Sequence, residues 1–130
     1  MWVMLNDAFL SIVAHPSRPK LLLVRARQRE DIEAVFPGAN IRATPDRDYQ
    51  FRALVKRRTV ETAMAAEVRR IDYTNFKNSV VDQRRHDAYL DVWTRMDRWG
   101  RKTDWRPLAR RFDDYDVRSR DDDAVTGDLS

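Results

Sequence analysis

The feature that most constrains the fold is a change in the spacing of apolar residues along the chain. In residues 49–56, apolar side chains largely alternate with polar ones, which is the period of a half-buried β-strand. In residues 59–71, which follow almost directly, apolar side chains recur every three or four positions, which is the period of an amphipathic helix. The chain is therefore predicted to build a sheet and helices that share one apolar layer.

The same two spacings assign the other segments. Strands are predicted at residues 2–5, 8–14, 20–27, 40–44 and 49–56, and helices at residues 29–36, 59–71 and 82–99. Thr59 is the predicted N-cap of the second helix, and Asn75 is predicted to cap a short helical turn over residues 76–80. The order βββαββαα indicates an α+β fold, in which an antiparallel sheet of about five strands has two or three helices packed on one face.

Composition divides the chain of 130 residues into three predicted parts. Residues 1–99 form a compact α+β domain. The C-terminal extension begins with residues 100–116, a short amphipathic helix or docking segment. Residues 117–130 are acidic and poor in apolar side chains, which is typical of a disordered tail.

Several classes of protein are excluded or disfavoured by residue counts. Because the chain has no cysteine, it has no disulfide, no thiolate metal site and no cysteine nucleophile. Three glycines cannot build a phosphate-binding loop, and the acidic residues Glu30, Asp31 and Glu33 lie at a helix start, where acids are favoured anyway. We therefore predict no catalytic residue, metal or cofactor. An enzyme that uses His86 with Tyr89 is kept as a minor alternative.

The N-terminal apolar run is interrupted at Asn6 and Asp7 and has no basic flank, so it predicts neither a signal peptide nor a membrane span. A cytoplasmic location is the expectation. The chain also uses 21 Arg against 4 Lys. This bias favours bidentate binding of planar anions or stacking on rings, although a GC-rich genome produces the same bias without any function.

A basic sheet face is the first candidate site. If Val24 and Ala53 face the helices, the residues of opposite parity on the same strands face away from them. The predicted anion-binding residues are Arg25, Arg27, Arg42, Arg52 and Lys56. Tyr49 and Phe51 are expected on the core side, so this face would act electrostatically without stacking platforms. The competing interpretation is an ordinary solvated face.

The second candidate site lies in the C-terminal extension. Its predicted partner-binding residues are Trp105, Leu108, Phe112 and Tyr115, which follow a helical spacing among basic residues. Such a helix can dock in a groove of a partner protein or in a homodimer interface. The alternative is that the segment packs back on its own domain.

Several short motifs resemble a family of short, uncharacterised bacterial and phage-associated proteins. They are Trp2 with Phe9-Leu10-Ser11, Val24-Arg25-Ala26-Arg27, Asp48-Tyr49 with Arg52, Asn75-Phe76-Lys77, and His86-x-x-Tyr89-x-x-Val92-Trp93. The resemblance covers about residues 2–96 and implies a compact α+β domain, often encoded among mobile elements, with no catalytic residues. Leu10 replaces a more usual phenylalanine, and residues 100–130 extend beyond the typical end.

The sequence therefore predicts a non-enzymatic basic module that engages an anionic partner, either RNA, DNA or a nucleoprotein. The alternative is a protein–protein interaction module that binds an acidic patch. One such module would be a phage- or mobile-element-encoded inhibitor of a bacterial defence complex, similar to anti-CRISPR proteins. No membrane partner is predicted.

Overall fold

The computed structural model describes residues 1–101, which fall into two compact units. The sheet unit, residues 1–72, contains β1 (Trp2–Met4), β2 (Phe9–Ala14), β3 (Leu21–Ala26), α1 (Arg29–Val35), β4 (Arg42–Ala43), β5 (Phe51–Lys56) and α2 (Arg57–Arg69). The helical unit, residues 73–101, contains α3 (Phe76–Ser79) and α4 (Gln83–Arg101). The described chain thus divides after Asp72, and α4 continues through the predicted boundary at Gly100.

The five strands form one antiparallel sheet in the order β1-β2-β3-β5-β4. This confirms the predicted α+β class and the antiparallel sheet of about five strands. Every predicted element in residues 1–101 is present, and its ends lie within two residues of those expected. The predictions for residues 102–116 and 117–130 lie outside the described residues.

One face of the sheet packs against α1 and α2. Its core is a cluster of buried apolar side chains from β2, β3, β5 and both helices: Leu10, Ile12, Val24, Ala26, Ile32, Phe36, Ala53, Val55 and Val60. Leu22 and Phe51 pack against this cluster from the same face. The parity predicted for β3 and β5 is therefore confirmed, because alternate residues of a strand point to opposite faces.

The start of α2 differs from the prediction. The N-cap is Lys56 rather than Thr59, and no side chain caps the helix. Instead, the backbone N–H of Arg57 donates to the carbonyl of Lys20 at 2.7 Å, and its Nε donates to the carbonyl of Pro19 at 2.9 Å. β5 passes directly into α2, with no loop between them. The two hydrogen bonds fix this junction to the residues just before β3.

The apolar stripe predicted for α2 is also only half right. Val60 is buried, and Ala63 and Met64 pack against the core, but Val68 and Ile71 are 67% and 54% exposed. Packing in the sheet unit therefore stabilises the first half of this helix. Periodicity identified the helical face but could not show how far the core extends along it.

The helical unit has its own local packing. Asn75 Oδ1 accepts a hydrogen bond from the backbone N–H of Asn78 at 3.2 Å, which confirms the predicted cap of α3. The rings of Phe76 and Tyr89 stack with their centroids 5.8 Å apart, and Tyr89 is buried. This stacking joins α3 to α4 over the link between them.

Candidate anion-binding face

A row of cross-strand neighbours crosses the sheet on the face opposite the core. Ser11 pairs with Arg25, Arg25 with Arg52, and Arg52 with Arg42. Directly opposed residues point to the same face of a sheet, so the register brings the side chains of this arginine row together. The row continues at the far edge to Trp2, which pairs with Ser11 and is 62% exposed.

The five predicted anion-binding residues differ in exposure. Arg25 and Arg52 are only 9% and 7% exposed, whereas Arg27, Arg42 and Lys56 are exposed. The two central arginines therefore lie on the predicted face of the sheet but are largely shielded from solvent. Lys56 also lies four residues along β5 from Arg52, about 13 Å at the rise of a strand, so it stands apart from the row.

Arg25 has an unusual set of partners for a buried cation. Its Nη2 donates to Ser11 Oγ at 2.8 Å, and its Cζ lies 4.9 Å from the centre of the Tyr49 ring. Its Nε is buried and has no hydrogen-bond partner. Within residues 1–101, no carboxylate forms an ion pair with Arg25, although a second guanidinium is directly opposite on β5.

Tyr49 lies on the arginine side of the sheet, contrary to the prediction. Its ring centre is 4.9 Å from Cζ of Arg25 and 4.5 Å from Cζ of Arg27, which places two cations within cation–π range of one ring. The prediction failed because it counted Tyr49 as the first residue of β5. In the structure β5 begins at Phe51, so strand parity does not apply to Tyr49.

The loop between β4 and β5 holds Tyr49 in this position. The backbone N–H of Thr44 donates to the carbonyl of Gln50 at 2.6 Å, and Thr44 Oγ1 donates to the carbonyl of Tyr49 at 3.0 Å. The backbone N–H of Tyr49 donates to Asp48 Oδ1 at 2.8 Å. These bonds close the loop and return the tyrosine ring over β3.

Asp48 places a carboxylate beside one arginine of the row. Its Oδ1 is 3.6 Å from Arg52 Nη2, a distance at which a carboxylate stabilises a buried guanidinium. Arg52 is thus compensated by a carboxylate, whereas Arg25 is held by a hydroxyl and a ring. The two central arginines of the row therefore differ in their electrostatic surroundings.

Sequence reasoning missed three members of this site, which are Ser11, Asp48 and Tyr49. A signal was present only for Ser11, a lone polar residue within an apolar strand, whose parity is opposite to that of Leu10 and Ile12. The contacts of Asp48 and Tyr49 depend on loop geometry, which hydrophobic spacing does not encode.

The other titratable candidates make local contacts. His15 Nδ1 accepts from the backbone N–H groups of Ser17 and Arg18 at 3.2 and 3.1 Å, which stabilises a turn. Asp31 is buried, and its Oδ2 accepts from the backbone N–H of Phe9 at 3.0 Å. His86 Nδ1 lies 3.5 Å from Asp87 Oδ1.

A second surface lies on α4 in the helical unit. It consists of large apolar side chains that are between 44% and 57% exposed: Val92, Trp93, Met96 and Trp99. Lys77 Nζ lies 4.0 Å from the centre of the Trp93 ring. The predicted partner-binding residues Trp105, Leu108, Phe112 and Tyr115 follow this surface in the sequence and lie outside the described residues.

No helix in residues 1–101 is long and apolar enough to cross a membrane. The same residues contain no group of three or more His, Asp or Glu side chains arranged to hold a metal ion.

No protein-family model, curated protein or solved structure matches this chain. The resemblance to short bacterial and phage-associated proteins therefore stays a prediction.

Proposed function

We propose that the protein is a non-enzymatic nucleic-acid-binding module that uses the arginine row and the exposed arginines beside it. The main support is the register that places Arg25, Arg52 and Arg42 side by side on the face opposite the core. Asp48 forms an ion pair with Arg52, and no carboxylate of residues 1–101 forms one with Arg25. A phosphate backbone supplies the anions that such a surface attracts.

The aromatic residues on this face add to the support. The Tyr49 ring makes cation–π contacts with Arg25 and Arg27. Trp2 is 62% exposed on the same face of the sheet. Strand spacing puts Trp2 about 10 Å from Arg25, since two strand intervals separate them. Tyr49 itself is only 4% exposed, whereas Trp2 offers an exposed ring. An exposed aromatic ring near cations favours a single strand, because unpaired bases can stack on it.

The test is fluorescence anisotropy of labelled single- and double-stranded DNA and RNA with the full chain over a range of salt concentrations. We expect tighter binding to single strands and a steep loss of affinity with salt. The double variant Arg27→Gln/Arg42→Gln should lower the slope of log K against log salt by about 1.4 for a single strand, if each arginine neutralises one phosphate.

A matched control removes the same charge from another part of the sheet unit. Arg58→Gln/Arg69→Gln changes two exposed arginines of α2 and should leave most of the affinity and the salt slope intact. If both double variants lower the affinity and the salt slope equally, binding depends on the net charge of the protein and not on the arginine row. No binding to any of the four nucleic acids at low salt would refute the proposal.

The exposed surface of α4 favours a second candidate function, a protein–protein interaction module. Trp93, Met96 and Trp99 present apolar side chains that are half exposed, which is the pattern of a helix that docks in a groove. Size-exclusion chromatography with light scattering tests the homodimer version with Trp93→Ser/Trp99→Ser. A native protein that is monomeric at high micromolar concentration would refute that version.

A further inference from the structure

Arg25 is a buried cation without a counter-ion among the described residues, which indicates a more specific role than a general basic surface. A guanidinium that is withdrawn from water loses hydration, and in proteins that loss is ordinarily offset by a carboxylate and by a full set of hydrogen bonds. Arg25 is 9% exposed, has an unpartnered Nε and forms no ion pair with a described carboxylate. One hydroxyl and one ring do not replace a counter-ion.

The strand opposite Arg25 adds a second unfavourable term to the lost hydration. Arg52 is the direct cross-strand partner of Arg25, and like charges at such positions repel. Asp48 pairs with Arg52 and not with Arg25. An anion beside Arg25 would offset both the lost hydration and the repulsion.

The donors around Arg25 suit an oxyanion. Ser11 Oγ accepts a hydrogen bond from Arg25 Nη2 at 2.8 Å, so its own O–H can donate to a bound oxygen. Arg25 Nε offers a second donor, and Arg27 adds an exposed cation on the same tyrosine ring. Guanidinium and hydroxyl donors together match a phosphate group, which has several acceptor oxygens.

We propose that Arg25 and Ser11 form the inner part of a binding site for one phosphate group, with Arg27 at its rim. This inference deepens the proposed function and rests on it for the source of the group, which is then a phosphodiester of the nucleic-acid backbone. The same chemistry would also accept free phosphate, so the experiment must separate the two sources.

The first measurement is thermal unfolding of the full chain in sodium phosphate and in sodium chloride at equal ionic strength and pH. Phosphate should raise the Tm by roughly 5 °C when its concentration is about tenfold above its dissociation constant. Because phosphate also stabilises proteins by exclusion from their surface, the comparison has to be made between variants.

The informative variant is Arg25→Met, which keeps the long side chain and removes the charge. If Arg25 lacks a counter-ion, this variant should be at least as stable as the native protein in chloride, and phosphate should no longer shift its Tm specifically. The control Arg58→Gln should keep the full shift. A Met variant that is less stable in chloride and keeps the phosphate shift would overturn the proposal.

A second measurement uses only the native protein and so does not depend on any variant folding. The Nε–H resonance of Arg25 should move on titration with inorganic phosphate and should move in the same direction with a short thymidine oligonucleotide. A resonance that responds to neither would overturn the proposal.

Comparing phosphate with the oligonucleotide distinguishes failure of the phosphate site from failure of the proposed nucleic-acid function. Oligonucleotide binding that leaves Arg25 Nε unchanged would refute the phosphate site and leave the proposed function standing. A phosphate response without oligonucleotide binding would refute the nucleic-acid function and support a site for a free phosphate compound.

Discussion

The two faces of the sheet are both buried at their centres, but by different means. On the helix-covered face, Val24 and Ile32 are fully buried among other apolar side chains. On the opposite face, the most enclosed side chains include Ser11, Arg25 and Arg52, which are polar or charged. Burial therefore stabilises the first face and carries an electrostatic penalty on the second.

The buried residues of the helix-covered face stabilise the fold, whereas those of the opposite face are the ones that we expect to bind nucleic acid. An apolar layer gains free energy from every side chain it removes from water. A buried guanidinium gains only when hydrogen bonds and an opposite charge replace its hydration. Asp48 supplies an opposite charge for Arg52, and we propose that a ligand supplies one for Arg25.

The largest effect is expected on the helix-covered face. Ile32→Ala should lower the free energy of unfolding by about 2–5 kcal/mol, because it leaves a cavity where a side chain is fully buried. Urea denaturation measures the change. Val68→Ala on α2, where the native side chain is 67% exposed, is the control and should change stability by less than about 0.5 kcal/mol. Similar losses for both would contradict the assigned core.

On the arginine face, the next largest effect is expected at Ser11. Ser11→Ala removes the hydroxyl that accepts from Arg25 Nη2 and should destabilise the protein by about 1–3 kcal/mol. Thr62→Ala, which removes an exposed hydroxyl from α2, is the control for losing a side-chain hydrogen bond. If the serine variant unfolds at the same urea concentration as the native protein, the buried bond to Arg25 is not stabilising.

Tyr49 tests the contribution of its ring. Tyr49→Leu should cost about 1–2 kcal/mol, since it removes two cation–π contacts of roughly 0.5–1 kcal/mol each. Tyr49→Phe keeps the ring and should stay within about 0.5 kcal/mol of the native protein. Equal losses in the two variants would assign the effect to the hydroxyl and not to the ring.

The smallest effect is expected for an exposed arginine that already has its counter-ion. Arg29 Nε donates to Glu33 Oε1 at 2.9 Å, and both side chains are 48% exposed. Glu33→Gln should change stability by about 0.3–0.5 kcal/mol, and less at high salt. A loss above about 1 kcal/mol in thermal or urea unfolding would mean that this exposed ion pair stabilises the protein more than surface pairs ordinarily do.

Most of the fold could be predicted, because two apolar periods alternate clearly along residues 1–99. Strand parity also placed Arg25 and Arg52 on the face of the sheet away from the core residues Val24 and Ala53. The exposure of these arginines could not be predicted in the same way. Parity gives the face on which a side chain lies, and it does not show that the loop before β5 returns Tyr49 over that face.

Contact between the arginine row and nucleic acid can be followed residue by residue in a ¹H–¹⁵N correlation spectrum of the full chain titrated with a short single-stranded oligonucleotide. We expect the largest shifts on the loop that carries Tyr49 and on Arg25, Arg27, Arg42 and Arg52. Shifts confined to α2 or α4, with the row unchanged at saturation, would contradict this expectation.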